Sequence, residues 1–480
     1  MKKLTAILLA LTLILGLSAC AAAGTGSSDG TTAATGGVPE GFLVGLSRVN
    51  ITPEESVPLK GYGNTSQRMS NGYLDYLYTT CVAMTDEDGN TVLLFNNDLS
   101  CSFSDLTTEI RQAISEATGV PVSNIIVCST HTHSGPDLYN NAEPSIARYK
   151  ASLKEWMLEA AELALADRRS AAMSVGSVKT EGLNFVRHYV MDDGSFAGDN
   201  HAGTGTSYAA HVSDADPLMQ MIRFSREGGE DIVMVNWQSH PHRTGSTNFD
   251  VSADIIGVMR TKVEEELGCG FAYFTGAAGN INPSSRIASE NITKDYREQG
   301  EALADYAIQL SRNLTPAQTG PIHVAQTTFT GKVDHSLDSL VAAATDVQNV
   351  WSATNNASKA LTLAYSYGLH SQYHAAGVIN KANKGATQDL ELSAFSIGNV
   401  AFAVSTNELF DSLGVYIREN SPFDMTFVLC LANKDDGYIP DAYAYEYCCY
   451  EVDTGIFEAG IGEQVAEEYV SLLNELSTSN

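Results

Sequence analysis

Two histidine pairs and one late glutamate stand out as residues able to do chemistry. His131-Thr132-His133 follows the apolar run Ile125–Ser129. In extended backbone, residues i and i+2 point to the same side. Both imidazoles are therefore expected to face one pocket at the strand's C-terminal end, where open α/β sheets place ligands. His240-Pro241-His242 follows the apolar run Ile232–Trp237 in the same way, and Glu408 lies just past the run 400–404. Histidine pairs serve as metal ligands or as general acids and bases. Buried histidines need partners for both ring nitrogens, so two strand exits that each deliver a pair are hard to explain by packing. Two imidazoles and a carboxylate match the ligand set of hydrolytic zinc sites, whose open position lets the metal lower the pKa of a bound water to about 7. Spacing alone leaves open whether the three converge.

Other chemistries fit less well. After the second histidine the chain reads Ser134-Gly135-Pro136-Asp137, without the aspartate two residues on that a metallo-β-lactamase pattern needs. The eight strand-helix units of an amidohydrolase barrel cannot be counted. There is no Gly-x-Ser-x-Gly elbow for a serine hydrolase. Gly276-Ala277-Ala278-Gly279-Asn280 lacks the spacing and lysine of a phosphate-binding loop. His188, His201 and His211 fall in a loop region rich in Gly and Asp, and His370 with His374, at i, i+4 spacing, reads as a solvated or pocket-lining helix face. Asp98 and Asp254 stand beside strand ends and are expected to orient zinc-ligating histidines from behind.

The elements that must position these residues alternate between strand and helix. The run 91–95 reads as a strand. Leu106, Ile110, Ala113, Ile114 and Ala117 follow at helical spacing, Gly119 and Pro121 stop the helix, and 124–129 is a second buried strand. The pattern recurs as Ile232–Trp237, a helix carrying Ile256, Met259, Val263 and Leu267 closed by Gly268, and the run 271–274. Residues 338–384 are Ala-rich and helical in pattern, 400–404 and 425–431 are apolar strands, and Ile461 to Leu476 place one apolar face on a packing helix. This alternation predicts an α/β fold: a single large domain with a mixed β-sheet core flanked by helices.

Composition sets the outer bounds. Of 480 residues, 44% are apolar and 18% charged, a globular balance. The formal charge of −29 repels phosphate backbones and anionic lipid, which excludes nucleic-acid binding as a function. Lys2 and Lys3, the apolar run from Leu4 to Leu17 and Leu17-Ser18-Ala19-Cys20 read as an export signal over 1–19, too short to span a bilayer. A small-residue site ending in Cys resembles a bacterial lipobox, so Cys20 is expected to be lipidated. Residues 20–40 would then tether a domain over 41–480 to the outer face of a bacterial membrane. Seven further cysteines, with no Cys-x-x-Cys pair, argue against a disulfide framework and read as buried apolar residues.

Taken together, the motifs resemble the catalytic domain of the neutral (non-lysosomal) ceramidase family. The matching pieces are Val44-Gly45 with Ile51-Thr52-Pro53, Gly61-Tyr62-Gly63, the block 129–136 reading Ser-Thr-His-Thr-His-Ser-Gly-Pro, and Asn236 to Pro241. Further along come Ser252-Ala253-Asp254, Gly276 through Pro283, Asn407-Glu408 and Gly437-Tyr438. The resemblance implies a zinc-dependent hydrolase that cleaves the amide of ceramide through a metal-activated water. It implies His131, His240, Glu408 and Tyr438 as ligands of Zn2+, although the residues themselves would have made Tyr438 a core or turn aromatic. It implies His133, Arg187 and Tyr450 as the residues serving the reacting carbonyl and leaving group. Where the family carries a serine before the Pro of the Gly-rich turn, this chain has Asn282, which bears on headgroup recognition. Two other readings stay open: a zinc amidase or peptidase acting on a non-lipid amide, and a non-catalytic surface lipoprotein that binds lipid or glycan.

Overall fold

Each long strand of this chain sorts its side chains between two cores. The computed structural model describes residues 41–63, 68–199, 201–354, 356–447 and 449–479; the expected signal, Cys20 and the tether lie outside the described residues. In the strand Thr91–Asn97, Val92 and Leu94 point into one core while Leu93 and Phe95 point into another. Alternation with both faces buried requires a covering layer on each side.

The main sheet runs in the order Gly270–Thr275, Ile232–Trp237, Leu218–Arg226, Arg169–Lys179, Leu43–Asn50, Tyr78–Thr85, Thr91–Asn97, Ile125–Ser129. The two end pairs are parallel and the middle is antiparallel. A smaller sheet holds Ile322–Lys332, Thr387–Ile397, Val400–Ser405 and Met425–Leu429. Val82, Leu94, Ile126, Met234 and Phe274 of the first pack against Phe395, Phe402 and Phe427 of the second. Helices Ser104–Thr118 and Pro144–Ala166 cover one half of the main sheet's other face, and Asp254–Leu267 and Tyr296–Leu310 the other half. Asp411–Glu419 and Ile461–Ser479 cover the outer face of the small sheet. The mixed α/β fold expected from the sequence is present, with two stacked sheets at its centre.

The main sheet curls until its two end strands meet. Thr275, ending one edge, donates its hydroxyl to the carbonyls of Ser129 (3.3 Å) and Thr130 (3.0 Å) at the other edge. The side-chain amide of Asn96 reaches the Tyr273 carbonyl across the same seam. The chain leaving the small sheet braces this junction: Cys430 N–H donates to Thr275 O (3.0 Å) and Asn433 N–H to Val127 O (2.7 Å). Strand exits 146 residues apart in sequence order thereby open onto one spot, which is the condition the histidine pairs required.

The predicted helices end where glycine permits a left-handed cap, at Gly119 (φ 77°) and Gly268 (φ 59°). Residues 338–384 form three helices, Val341–Thr354, Ala357–Ser366 and Gln372–Ala382. The six described cysteines are buried and form no disulfide. Among the described residues, no helix is long and apolar enough to cross a membrane.

Candidate active site

The first histidine pair converges, though not by strand alternation. The strand stops at Ser129, and His131 takes a left-handed backbone (φ 70°), a conformation that costs a non-glycine residue on the order of 1 kcal/mol or more. Even so, the Nε2 atoms of His131 and His133 lie 3.4 Å apart. His240 reaches the same place from the other edge. Glu408 Oε2 lies 3.4 Å from His131 Nε2 and 3.2 Å from His240 Nε2.

Two backbone carbonyls orient the rings. His131 Nδ1 hydrogen-bonds the Ser100 carbonyl, and His240 Nδ1 the Ile281 carbonyl at 2.9 Å. A ring that donates from Nδ1 presents a lone pair at Nε2, which is how metal-binding histidines are usually set. Asp98 and Asp254, expected in that role, are engaged elsewhere. Asp98 pairs with Arg260 at 2.8 Å, and Asp254 accepts from the backbone N–H groups of Arg243 (3.0 Å) and Thr244 (2.8 Å). A carbonyl can replace the carboxylate because it only needs to accept one N–H.

Glu408 and Tyr438 are brought together by a short parallel pairing, Glu408–Leu409 with Tyr438–Ile439, in which the two are register partners. Both are buried at their polar ends. Burial raises the Glu408 carboxyl above its ordinary value of 4.5 and, with Glu408 beside it, holds the Tyr438 phenol well above 10. Glu408 Oε2 has no hydrogen-bond partner among the described residues. An unpartnered buried carboxylate oxygen facing two imidazole lone pairs is costly without a cation between them. The donor set therefore fits a divalent metal. The nitrogens of His131, His133 and His240 also lie within 4.8 Å of one another, so geometry offers His133 as a competing third ligand. Glu408 fits better, because its oxygen is the one left unsatisfied at ligand-like distance from both other histidines.

Arg187, Tyr450 and His133 line the same cavity of about 760 Å³. Arg187 follows the strand Phe185–Val186 and is buried. It donates to Glu451 Oε1 (2.5 Å) and to the Gly279 carbonyl (2.8 Å), and its Nη1 lies 3.3 Å from His240 Nε2. Tyr450 opens the helix Tyr450–Thr454, its ring 5.8 Å from that of Tyr438. Burial lowers His133 well below 6.5, and its Nδ1 has no partner.

Two contributors, Glu451 and His188, were not expected at the site. Glu451 is fully buried between Arg187 and His188, accepting from the latter at 2.8 Å, and Arg187 drives its carboxyl far below 4.5. His188 is thus a loop residue, as expected, but a buried one that braces Glu451; its signal was adjacency to Arg187. His242 lines the cavity and bonds Asn282 Oδ1 at 3.0 Å, while Asn282 donates to Asp199 at 3.2 Å. In the Gly-rich turn a Cβ at Gly279 would stand 2.6 Å from the Glu408 carbonyl, so the glycine lets two backbones touch beside the site.

Comparison with known proteins finds a family match in the first half of the chain. Residues 42–273 match the model of the neutral/alkaline non-lysosomal ceramidase N-terminal domain. Over that stretch, just under half of the chain, the sequence is similar to the neutral ceramidase family. The crystal structure of neutral ceramidase from Pseudomonas aeruginosa superposes with a TM-score of 0.69 at 16% identity, over 91% of this chain and 74% of that one. A ceramidase complexed with C2 gives 0.68 at 16% identity, over 92% and 76%. At that identity the likeness is one of fold. The ceramidase model spans His131, His133, Arg187 and His240, whereas Glu408, Tyr438 and Tyr450 lie beyond it.

Proposed function

We propose that the chain is a zinc-dependent amidohydrolase that cleaves ceramide or a closely related N-acyl lipid, with His131, His240, Glu408 and Tyr438 holding the ion. The observation carrying this reading is the unpartnered Glu408 Oε2 facing two imidazole nitrogens whose rings are fixed from behind by carbonyls. The match of residues 42–273 to the neutral/alkaline ceramidase N-terminal model supports hydrolysis and an amide-bearing lipid as substrate. Tethering through Cys20 would hold the pocket near a membrane-borne substrate.

A divalent ion bound there supplies Lewis acidity, polarising an amide carbonyl and acidifying water. The remaining chemistry falls to the chain. His133, kept neutral by burial, accepts a proton from the attacking water and returns it to the departing amine. Arg187, held in place by Glu451, and the Tyr450 phenol donate hydrogen bonds to the oxygen on which charge develops. Arg187 is fixed by Glu451 and the Gly279 carbonyl before substrate arrives, so little reorganisation of that donor is needed.

The test is elemental analysis of the purified protein with hydrolysis of a fluorescent N-acyl-sphingosine, before and after chelation. Zinc with chelator-sensitive cleavage supports the reading. Zinc without cleavage redirects it to a non-lipid amide, and a protein that takes up no zinc excludes it.

A further inference from the structure

The composition of the pocket narrows what can enter it. Glycines aside, every described side chain lining it carries a nitrogen, oxygen or sulfur atom. Small-molecule pockets are more often lined chiefly by apolar and aromatic side chains, with a few polar groups among them. Here Lys60, Asp199, Arg286 and Asp435 stand in the lining besides the residues assigned to the ion and the reaction, and each six-membered ring among the described lining residues is a tyrosine.

These groups are held ready for hydrogen bonding. Arg286 pairs with Asp199 at 2.9 Å and donates to the Tyr208 hydroxyl at 2.9 Å. Asn282 donates to Asp199 at 3.2 Å, which leaves its Oδ1 to His242 at 3.0 Å. Tyr139 donates to Asp435 at 2.9 Å, and Lys60 Nζ lies 4.7 Å from the centre of the Tyr139 ring. A guanidinium offers five donors, an ammonium three and a carboxylate about four acceptor sites, so these contacts use only part of the capacity and solvent or a ligand takes the rest. A methylene placed against such a group displaces its solvent and offers no hydrogen bond in return, which weakens binding by about 5- to 100-fold for each group left unpaired. Burying that methylene gains only about fourfold. The polar lining therefore disfavours hydrocarbon.

We infer that the pocket takes the amide and the polar headgroup of its substrate and leaves most of the hydrocarbon outside, so that the enzyme selects for the headgroup and not for acyl-chain length. This rests on the amidohydrolase reading above and names a substrate class within it: N-acyl compounds whose amine half carries two or more hydroxyl or charged groups close to the amide. Hydroxyls of such a headgroup both donate and accept, so they can replace solvent at Asn282, Asp199 and Arg286 without leaving a bond unmade. The hydrocarbon of an N-acyl lipid then stays with the membrane, and its length matters for residence there and not for fit in the pocket.

The test separates headgroup from chain. kcat/KM of the zinc-loaded protein is measured for N-acyl-2-amino-1,3-propanediols with acyl chains of two, four, six and eight carbons, each below its micelle concentration. The matching N-acyl-2-aminopropanes, which lack the two hydroxyls, and a fluorescent N-acyl-sphingosine are measured beside them. The expected result is a diol series that varies by less than about threefold from acetyl to octanoyl and exceeds the hydroxyl-free series by about tenfold or more. A pocket that buries the acyl chain would instead gain about fourfold per methylene. A slope of that size overturns the inference, as does equal cleavage of the two series. Cleavage of the N-acyl-sphingosine without cleavage of the diols overturns it too, because the long hydrocarbon is then required. No cleavage of any of these amides by protein that holds zinc sinks the amidohydrolase reading and the inference with it.

Discussion

The two walls of the pocket are built by different means. One wall, with His131, His133 and His240, hangs from the exits of the main sheet, and backbone carbonyls fix the His131 and His240 rings. The other, with Glu408, Tyr438, Tyr450 and Arg187, comes from short pairings and short helices, and is held by side chains, chiefly the buried Glu451. Backbone carbonyls cannot be mutated away, so the first wall is robust to single substitutions behind it. The second wall depends on charges that a single substitution removes, and there a change behind the site should be felt within it.

The sharpest break of this contrast is at the ligands themselves. His131→Ala and Glu408→Ala are expected to lose both bound zinc and hydrolysis, activity falling on the order of 10³-fold or more, because several kcal/mol of transition-state stabilisation goes with the ion. Either variant retaining full activity would refute the assignment. His133→Ala should keep the zinc and lose turnover by about 10²–10⁴-fold, the usual worth of a general base. If its zinc is lost as well, His133 is a ligand and the competing donor set is the right one. The pH profile carries a further sign. Burial holds His133 below 6.5, so its neutral, active form persists as pH falls through 6.5 and the acid limb of kcat/KM lies under that value.

The first wall is also the legible one. Apolar runs ending in His-x-His announce strand exits, and all six predicted strands and both predicted glycine stops agree with the structure to within a residue or two. The long strands Arg169–Lys179, Leu218–Arg226, Ile322–Lys332 and Thr387–Ile397 were not legible. The first and third carry Gly, Ser, Thr and Gln with only part of one face buried, so their hydrophobic period is weak. Of the second wall, Glu408 was legible as a strand exit, whereas Tyr438, Arg187 and Tyr450 were legible through family resemblance alone. Tyr438 sits in a two-residue pairing that leaves no periodicity, and Glu451 looks like any helical glutamate until Arg187, 264 residues earlier, is seen to bind it. Asp98 and Asp254 failed as orienting groups because a strand-end position does not reveal whether a carbonyl already occupies the ring nitrogen.

Glu451→Gln tests the dependence of the second wall on charge. Gln keeps the shape and can still accept from Arg187, but it leaves a buried guanidinium unneutralised and can face His188 only with an N–H. Breaking a buried pair from one side costs about 3–5 kcal/mol, so a clear fall in thermal midpoint is expected, with kcat down about tenfold and zinc content unchanged. The carboxyl is depressed below its ordinary 4.5 in the folded protein. Its stabilisation is therefore complete above that pH and drains away as pH falls below it. The midpoint gap between wild type and variant should stay constant from pH 8 to about 5 and narrow only in stronger acid. Equal midpoints at pH 7 would break the claim that this wall rests on Glu451.

The smallest expected effect probes the one place where the first wall does depend on a residue that can be changed. Gly61 has φ 115°, and a Cβ there would overlap the Cβ of His133. The glycine in Gly61-Tyr62-Gly63 thus lets the turn lie against the His133 ring, with the Tyr62 ring edge-on 5.3 Å away. From the other side, Arg68 donates to the His133 carbonyl at 3.2 and 3.3 Å. Gly61→Ala meets both a strained backbone and a clash, on the order of 1–3 kcal/mol in all. Since the exposed turn can yield more readily than the clamped histidine, most of that cost should go into displacing the turn. The expected outcome is full zinc occupancy, a thermal midpoint lowered by a few degrees and kcat/KM reduced severalfold. Loss of zinc would mean that His133 and His131 move as one unit, and that carbonyl anchoring does not insulate the first wall after all.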